Sequence, residues 1–386
     1  MLSKSRKKAH RNYHIQLTGI GGFVKQIKVI LIPTIMFLQF ISCKDTGTGP
    51  NQKQFKDPRQ MTWAVDTLTY PGSLDVSLGS IWGSSPTDVY AVGHNESNRG
   101  QFWHYDGKKW ECIDLFQYVE QSSWSLVKVF GFGPNDFWVI GGRDRTIAGY
   151  DYKESLILQN KSSWVDHKLV YNGLMMDITG TSSRNIWACG RNGIVMNYNG
   201  YSWKVDTIKV KKFPYDTDYV LAGITESKNE VILVARTTNP RLTSREQYYI
   251  RGTMDNWRVI DSTIFTSENW GDDERWGDLG IFQTSSGKIF SFGDGGIWVL
   301  DLNNNRWNSI LKNNYSIRGL YGTDENYLIA VADFGRVWFF NGNEWIGMFS
   351  LVSTQSQIHF YDIWTDGEEI FLLGIDNNKT FILHGK

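Results

Sequence analysis

One short pattern recurs along this 386-residue chain, and an internal repeat restricts the possible folds more than any other feature. The run Leu78-Gly-Ser-Ile-Trp-Gly-Ser-Ser-Pro-Thr-Asp-Val-Tyr-Ala-Val-Gly93 returns as Lys128-Val-Phe-Gly-Phe-Gly-Pro-Asn-Asp-Phe-Trp-Val-Ile-Gly141. It returns again as Asp177-Ile-Thr-Gly-Thr-Ser-Ser-Arg-Asn-Ile-Trp-Ala-Cys-Gly190. Diverged copies span 223–235, 280–293, 319–332 and 362–374, which makes seven. A second motif follows the first: Phe102-Trp-His-Tyr-Asp-Gly-Lys-Lys-Trp110 parallels Val195-Met-Asn-Tyr-Asn-Gly-Tyr-Ser-Trp203 and Val337-Trp-Phe-Phe-Asn-Gly-Asn-Glu-Trp345. Weaker versions end at Trp164, Trp257 and Trp307.

Each unit reads as a short apolar strand, a Ser/Pro/Asn/Asp turn and an alternating strand. A third strand follows, then a two-residue Asp-Gly or Asn-Gly hairpin turn, then a fourth strand that opens with Trp. Four short strands at a period between 38 and 58 residues describe a β-propeller blade. The last unit stops at Thr380-Phe-Ile-Leu-His-Gly-Lys386, before its Trp strand, while Thr62-Trp63-Ala-Val-Asp-Thr-Leu68 looks like Ser202-Trp203-Lys-Val-Asp-Thr-Ile208. The expectation is an all-β, seven-bladed β-propeller over 61–386, its ring closed by the strand around Trp63 completing the last blade.

The repeat wording resembles propeller-repeat proteins from exported and lipoprotein contexts in bacteria, many without an assigned activity. The Asp-Gly-x-x-Trp turn is also similar to the Asp-box of sialidase-type propellers, best at Asp106-Gly107, with Asn in its place at Asn199 and Asn341. In those folds the box is a structural turn, so the resemblance implies architecture and no activity.

The first 42 residues read as an address. They hold Lys4, Arg6, Lys7, Lys8, Arg11, Lys25 and Lys28 and no acid. The 40 basic residues less those seven leave 33 against 40 acids, so the zero net charge hides a balance of −7 in the remainder. The apolar run from Val29 to Ser42 is 14 residues, too short for a membrane span of about 20 residues, and reads as a secretory signal. Phe40-Ile-Ser-Cys43 resembles a bacterial lipobox, which implies lipid on Cys43 and a flexible tether over 43–60. An ordinary signal with an incidental Cys is the alternative. Lys44 at the second mature position is similar to lipoproteins sent to the outer membrane or cell surface. Cys112 and Cys189 alone remain, so no disulfide framework is implied.

In a propeller the 1–2 and 3–4 turns share one face and the 2–3 and 4–1 connections the other. The first set reads as short throughout. The extended segments, 116–126, 142–156, 206–219, 236–248 and 259–278, fall in the second set, where a rigid scaffold presents binding groups. Candidate ligand-binding residues there are Trp124, Tyr215, Arg241, Arg245, Trp270, Asp272, Asp273 and Trp276. Aromatic rings flanked by carboxylates suit sugars, and equally suit packing of a loop onto its blade. Asp272 and Asp273 offer oxygen to Ca²⁺, though their spacing matches no known Ca²⁺ loop. Trp110, Trp203, Trp307 and Trp345 read as core.

The seven His show no zinc-ligand spacing, and no nucleophile elbow or phosphate-binding glycine loop occurs. Zero net charge gives no pull on nucleic acid. These residues favour a lipid-anchored, non-catalytic binding or assembly scaffold without a cofactor, meeting a protein or glycan partner on the long-loop face. The alternatives are a carbohydrate-binding surface protein using Trp270, Trp276, Trp124 and Tyr215, and a glycan-active hydrolase or lyase.

Overall fold

Each copy of the first motif forms an antiparallel strand pair, and each copy of the second adds two more strands to it. The computed structural model describes residues 55–119, 123–147, 150–169, 171–211, 217–238, 244–266, 274–348 and 357–386. Among them are seven four-stranded antiparallel sheets. Blade one consists of Ser77–Ser85, Asp88–His94, Phe102–Tyr105 and Trp110–Cys112, in that order from the ring axis outward. Blades two to six repeat this order, with inner strands Trp124–Gly133, Met175–Ser182, Asp218–Ser227, Gly280–Gln283 and Ile317–Asp324.

Blade seven contains His359–Thr365, Ile370–Asp376 and Lys379–Gly385, and its outer strand is Trp63–Leu68. The pairing runs from Trp63 opposite Gly385 to Leu68 opposite Thr380. Thr62 and Lys386 extend it, each backbone nitrogen donating to the other's carbonyl at 3.0 and 2.9 Å. The ring is therefore closed by its N-terminal strand, and no edge is left open at the seam.

The second strand of each blade is covered on both faces by neighbouring sheets, which explains continuous apolar runs in place of alternation. Val89 to Val92, Ile186 to Cys189 and Tyr327 to Ala332 are buried throughout. The outer strands are half exposed and carry charge, as in Trp203–Thr207 and Arg306–Lys312.

The strand-opening Trp residues pack inward in a repeated geometry. Tyr105 and Trp110, Tyr198 and Trp203, and Phe340 and Trp345 face each other across the hairpin at 5.3, 5.2 and 5.2 Å between ring centroids. The turn joining them is longer than the two residues expected. It spans four, closed by Asp106 N donating to Lys109 O at 3.2 Å, with the same bond at Asn199 and Asn341. Asp106 Oδ1 accepts from the nitrogens of Lys108 and Lys109 at 2.8 and 2.9 Å, and Asn199 and Asn341 repeat both bonds. Only the Oδ1 acceptor is used, so Asn replaces Asp without loss. Gly107, Gly200 and Gly342 supply the left-handed backbone, at φ of 90°, 93° and 93°.

Two expected loops are largely strand. The described residues of 142–156 belong to the strands Asp136–Ile147 and Tyr150–Asn160, and those of 236–248 to Glu230–Thr238 and Ser244–Thr253. Arg143, in the first of these, is buried against Asp166, Nη2 to Oδ2 at 2.6 Å. Cys189 is buried, Cys112 is half-buried, and both are free thiols.

Candidate functional site

Seven inner strands surround a central channel, a cavity of about 940 Å³. A β-bulge interrupts the inner strand at one equivalent place in six blades, at Gly79, Val127, Met176, Ala222, Arg318 and Tyr361. Each of these residues lines the cavity, because the extra residue turns the strand toward the axis. The residues that follow are Ser80, Lys128, Asp177, Gly223, Gly319 and Asp362; Gly280 holds the equivalent place in blade five.

This position joins neighbouring blades. Where it is a carboxylate or a hydroxyl, the side chain accepts from a backbone N–H of the following blade, whereas Lys128 donates to Asp362. Asp362 Oδ2 accepts from Ile81 N at 3.1 Å, Ser80 Oγ from Val129 N at 3.3 Å, and Asp177 Oδ2 from Ile224 N at 2.9 Å. Where it is glycine, the backbones themselves meet. A Cβ on Gly223 would stand 2.6 Å from Ile281 N, and one on Gly319 would stand 3.0 Å from Asp362 Cα.

The polar half of this ring forms a charged network on the channel wall. Asp362 Oδ2 also accepts from Ser80 Oγ at 2.9 Å and from Lys128 Nζ at 3.1 Å. Burial alone would lower the Lys128 ammonium, but the Asp362 and Asp177 carboxylates outweigh it and raise it. Burial pushes the Asp177 carboxyl up to about 6, with Lys128 opposing. The wall thus carries the carboxylates of Asp177, Glu226 and Asp362, and Tyr361 and Arg318 line it as well.

A second cluster lies at the long-connection end of blades four and five, around Arg245. Its Nη1 reaches Asp294 Oδ2 at 2.6 Å and Asp278 Oδ2 at 3.6 Å, and its Nη2 reaches Glu274 Oε1 at 3.7 Å. Burial, and then the charges of Asp294 and Asp278, push the Glu274 carboxyl up to about 7. Burial likewise raises Asp278 against the pull of Arg245. Asp294 is lowered, because its bonds to Ser316 and Arg245 outweigh burial. Arg245 is therefore a buried hub and offers no exposed cation.

The candidate Trp residues are also enclosed. Trp124 opens the inner strand of blade two and is 1% exposed, with the Phe116 ring edge-on at 4.9 Å. Trp276 is 1% exposed, packed in a cluster with Ile232, Val234, Tyr249 and Leu300. It precedes Gly280–Gln283 by several residues and is not in the inner strand. Neither indole presents a face to a sugar. Cys43, Tyr215, Arg241, Trp270, Asp272 and Asp273 lie outside the described residues, as does the Ca²⁺ site expected of the last two.

Sequence reasoning passed over Lys128, Asp177 and Asp362. The signal was present in the aligned repeats, where one position reads Ser, Lys, Asp, Gly, Gly, Gly, Asp. A charge where three of the seven copies hold glycine marks a place facing structure and cavity together.

No family model matches the chain, and no curated protein matches it in sequence. Solved structures do. "YCF48 bound to D1 peptide" superposes with a TM-score of 0.54 at 14% identity, covering 86% of this chain and 97% of that one. YCF48 from Cyanidioschyzon merolae gives 0.51 at 16%, covering 83% and 99%. What this chain shares with them is the propeller. At such identities the likeness speaks for fold alone.

Proposed function

We propose that this propeller is a non-catalytic binding or assembly scaffold for a protein partner, engaged on the face that carries its 2–3 and 4–1 connections. The observation that carries this reading is the asymmetry of the two faces. The 3–4 turns at Asp106, Asn199 and Asn341 are fixed by one repeated set of bonds, whereas the opposite face varies from blade to blade and exposes Leu74 (89%) and Tyr118 (54%). A peptide bound to YCF48, a propeller of like fold, supports a protein ligand. The engagement of Asp362 by three donors supports a structural use of the channel acids.

The chain's placement is part of the same proposal: an exported bacterial propeller-repeat lipoprotein, anchored through Cys43 at the outer membrane or cell surface. The basic segment, the apolar run and Phe40-Ile-Ser-Cys43 support it. Labelling of cells with a radioactive fatty acid tests it, and the label should vanish in Cys43→Ala; a label retained in that variant refutes the anchor.

The binding face is tested by a photo-crosslinking amino acid placed at Leu74, Tyr118 or Tyr201 in the full chain. Leu74 and Tyr118 lie on the variable face, and Tyr201, 86% exposed, lies in a 3–4 turn on the other. Adducts to one partner from the first two and none from Tyr201 are expected. Adducts from Tyr201 alone would place the partner on the wrong face and overturn the reading.

A further inference from the structure

We infer that the face built of the 1–2 and 3–4 turns is the one held toward the membrane, so that the variable face receives a folded protein partner from the aqueous side. This rests on the anchor and scaffold readings above and names the direction from which that scaffold is reached.

The point at which the chain enters the propeller supplies the observation. Residues 55–61, just ahead of the closing strand, are fastened to the turns of blades six and seven. Lys56 N donates to Gly367 O at 2.9 Å, and Lys56 O accepts from the Tyr327 hydroxyl at 2.9 Å. Gly367 lies in the 1–2 turn of blade seven, and Tyr327 opens the second strand of blade six directly after its 1–2 turn. The Phe55 ring stands 5.0 Å from that of Tyr327 and lies over Gly367, where an added Cβ would come within 2.3 Å of it. Pro58 and Met61 are buried, and Pro58 O accepts from Trp63 Nε1 at 3.4 Å.

Strand direction places the entry there. A fourth strand starts at the turn face and ends at the variable one, and Trp63–Leu68 is a fourth strand, so the chain ahead of it arrives among the turns. The contacts of Phe55 and Lys56 then keep it there. They prevent the segment from running back along the outer edge of the blade toward the variable face.

Chain length limits what fits beneath the molecule. From Cys43 to Phe55 the chain spans at most about 40 Å fully extended, and roughly 20 Å relaxed. The closing strand, six residues long, sets the two faces at least about 20 Å apart. A partner domain of about 100 residues has a radius of gyration of about 13 Å and is roughly 30 Å across. With such a partner held between the variable face and the lipid, Phe55 would stand roughly 50 Å from the membrane, beyond the reach of Cys43. With the turns toward the membrane no such limit arises, and the variable face is open to the aqueous side.

The test uses the full-length, lipidated chain in vesicles of phosphatidylethanolamine and phosphatidylglycerol. Azidophenylalanine at Leu74 or at Asn343 carries a fluorescent donor, and the lipid headgroups carry the acceptor. Leu74 lies on the variable face beside blade seven, and Asn343 in the 3–4 turn of blade six; both are exposed, so Tm should be unchanged in either. Energy transfer should be severalfold faster from Asn343 than from Leu74. Equal rates would overturn the inference, and faster transfer from Leu74 would put the variable face on lipid. Flotation of the vesicles separates those outcomes from a failure of the anchor: the parent should float and Cys43→Ala should not. A parent that does not float, or a Cys43→Ala chain that does, refutes the anchor and this orientation with it. The scaffold reading would then still stand or fall on the crosslinks from Leu74 and Tyr118.

Discussion

Asp362 Oδ2 lies 3.1 Å from Lys128 Nζ, although the two residues belong to blades seven and two. The bond passes over Ser80 of blade one, whose hydroxyl donates to the same oxygen. One carboxylate oxygen therefore holds three consecutive blades together beside the seam. Asp362→Ala leaves Ile81 N, Ser80 Oγ and Lys128 Nζ without it, and should cost about 2–4 kcal/mol in urea denaturation. In an Asp362→Asn background, Lys128→Met should cost less than it does alone, since neighbours in one network are not additive. Strict additivity would show that the pair is not coupled.

Glycine is required at Gly223 for a stated reason, and Gly79 is its control. A Cβ at Gly223 would meet the backbone of the next blade, at Ile281 N and, at 2.8 Å, Gly280 C, while nothing lies within 4 Å of a Cβ at Gly79. Gly223→Ala should destabilise the ring by about 1–3 kcal/mol, and Gly79→Ala should be neutral or slightly stabilising. Equal effects at both positions would contradict the contact between inner strands.

The Arg245 cluster should make stability fall as pH rises toward neutrality. Glu274 titrates near 7 in the fold against an ordinary 4.5, so between these values the native state holds a proton that the unfolded chain has released. Its contribution is complete below the lower value and is lost as pH rises through the upper. Burial gives Asp177 the same sign. Glu274→Gln removes the penalty, and its stability relative to the parent should increase between pH 5 and 8, by about 1–3 kcal/mol. A difference independent of pH would place the carboxyl in water.

Removing residues 61–69 takes away the outer strand of blade seven and exposes the hydrogen-bonding edge of Lys379–Gly385. The truncated chain should lose its single cooperative transition in calorimetry and should associate on gel filtration, as bare sheet edges do. A monomer with one sharp transition would contradict closure through Trp63.

The architecture was legible because its determinants are local and repeated. A Trp at or next to the head of each fourth strand and an apolar second strand recur seven times, an Asx-Gly turn precedes the Trp in three of them, and the absent last strand pointed to Thr62-Trp63. The site was less legible, because burial there is decided by what folds back over a residue. Trp124 counts as a candidate ligand-binding residue at the end of a long connection, but it opens the inner strand and the Leu115–Gln117 turn brings Phe116 across it. Arg245, a candidate ligand-binding residue by its place in the chain, is paired inside the sheets with Asp294, as Arg143 is with Asp166.

The closing strand has a consequence for how the ring is made. Thr62 and Lys386 are 324 residues apart and bonded to each other. A ribosome delivers the closing strand first and its partner last, so no intermediate length of nascent chain can complete the circle. Pairing at such separation is slow because the chain must be gathered before the contact repays it. Until then two sheet edges stand open, and the interval between synthesis and closure is when this molecule most needs a chaperone.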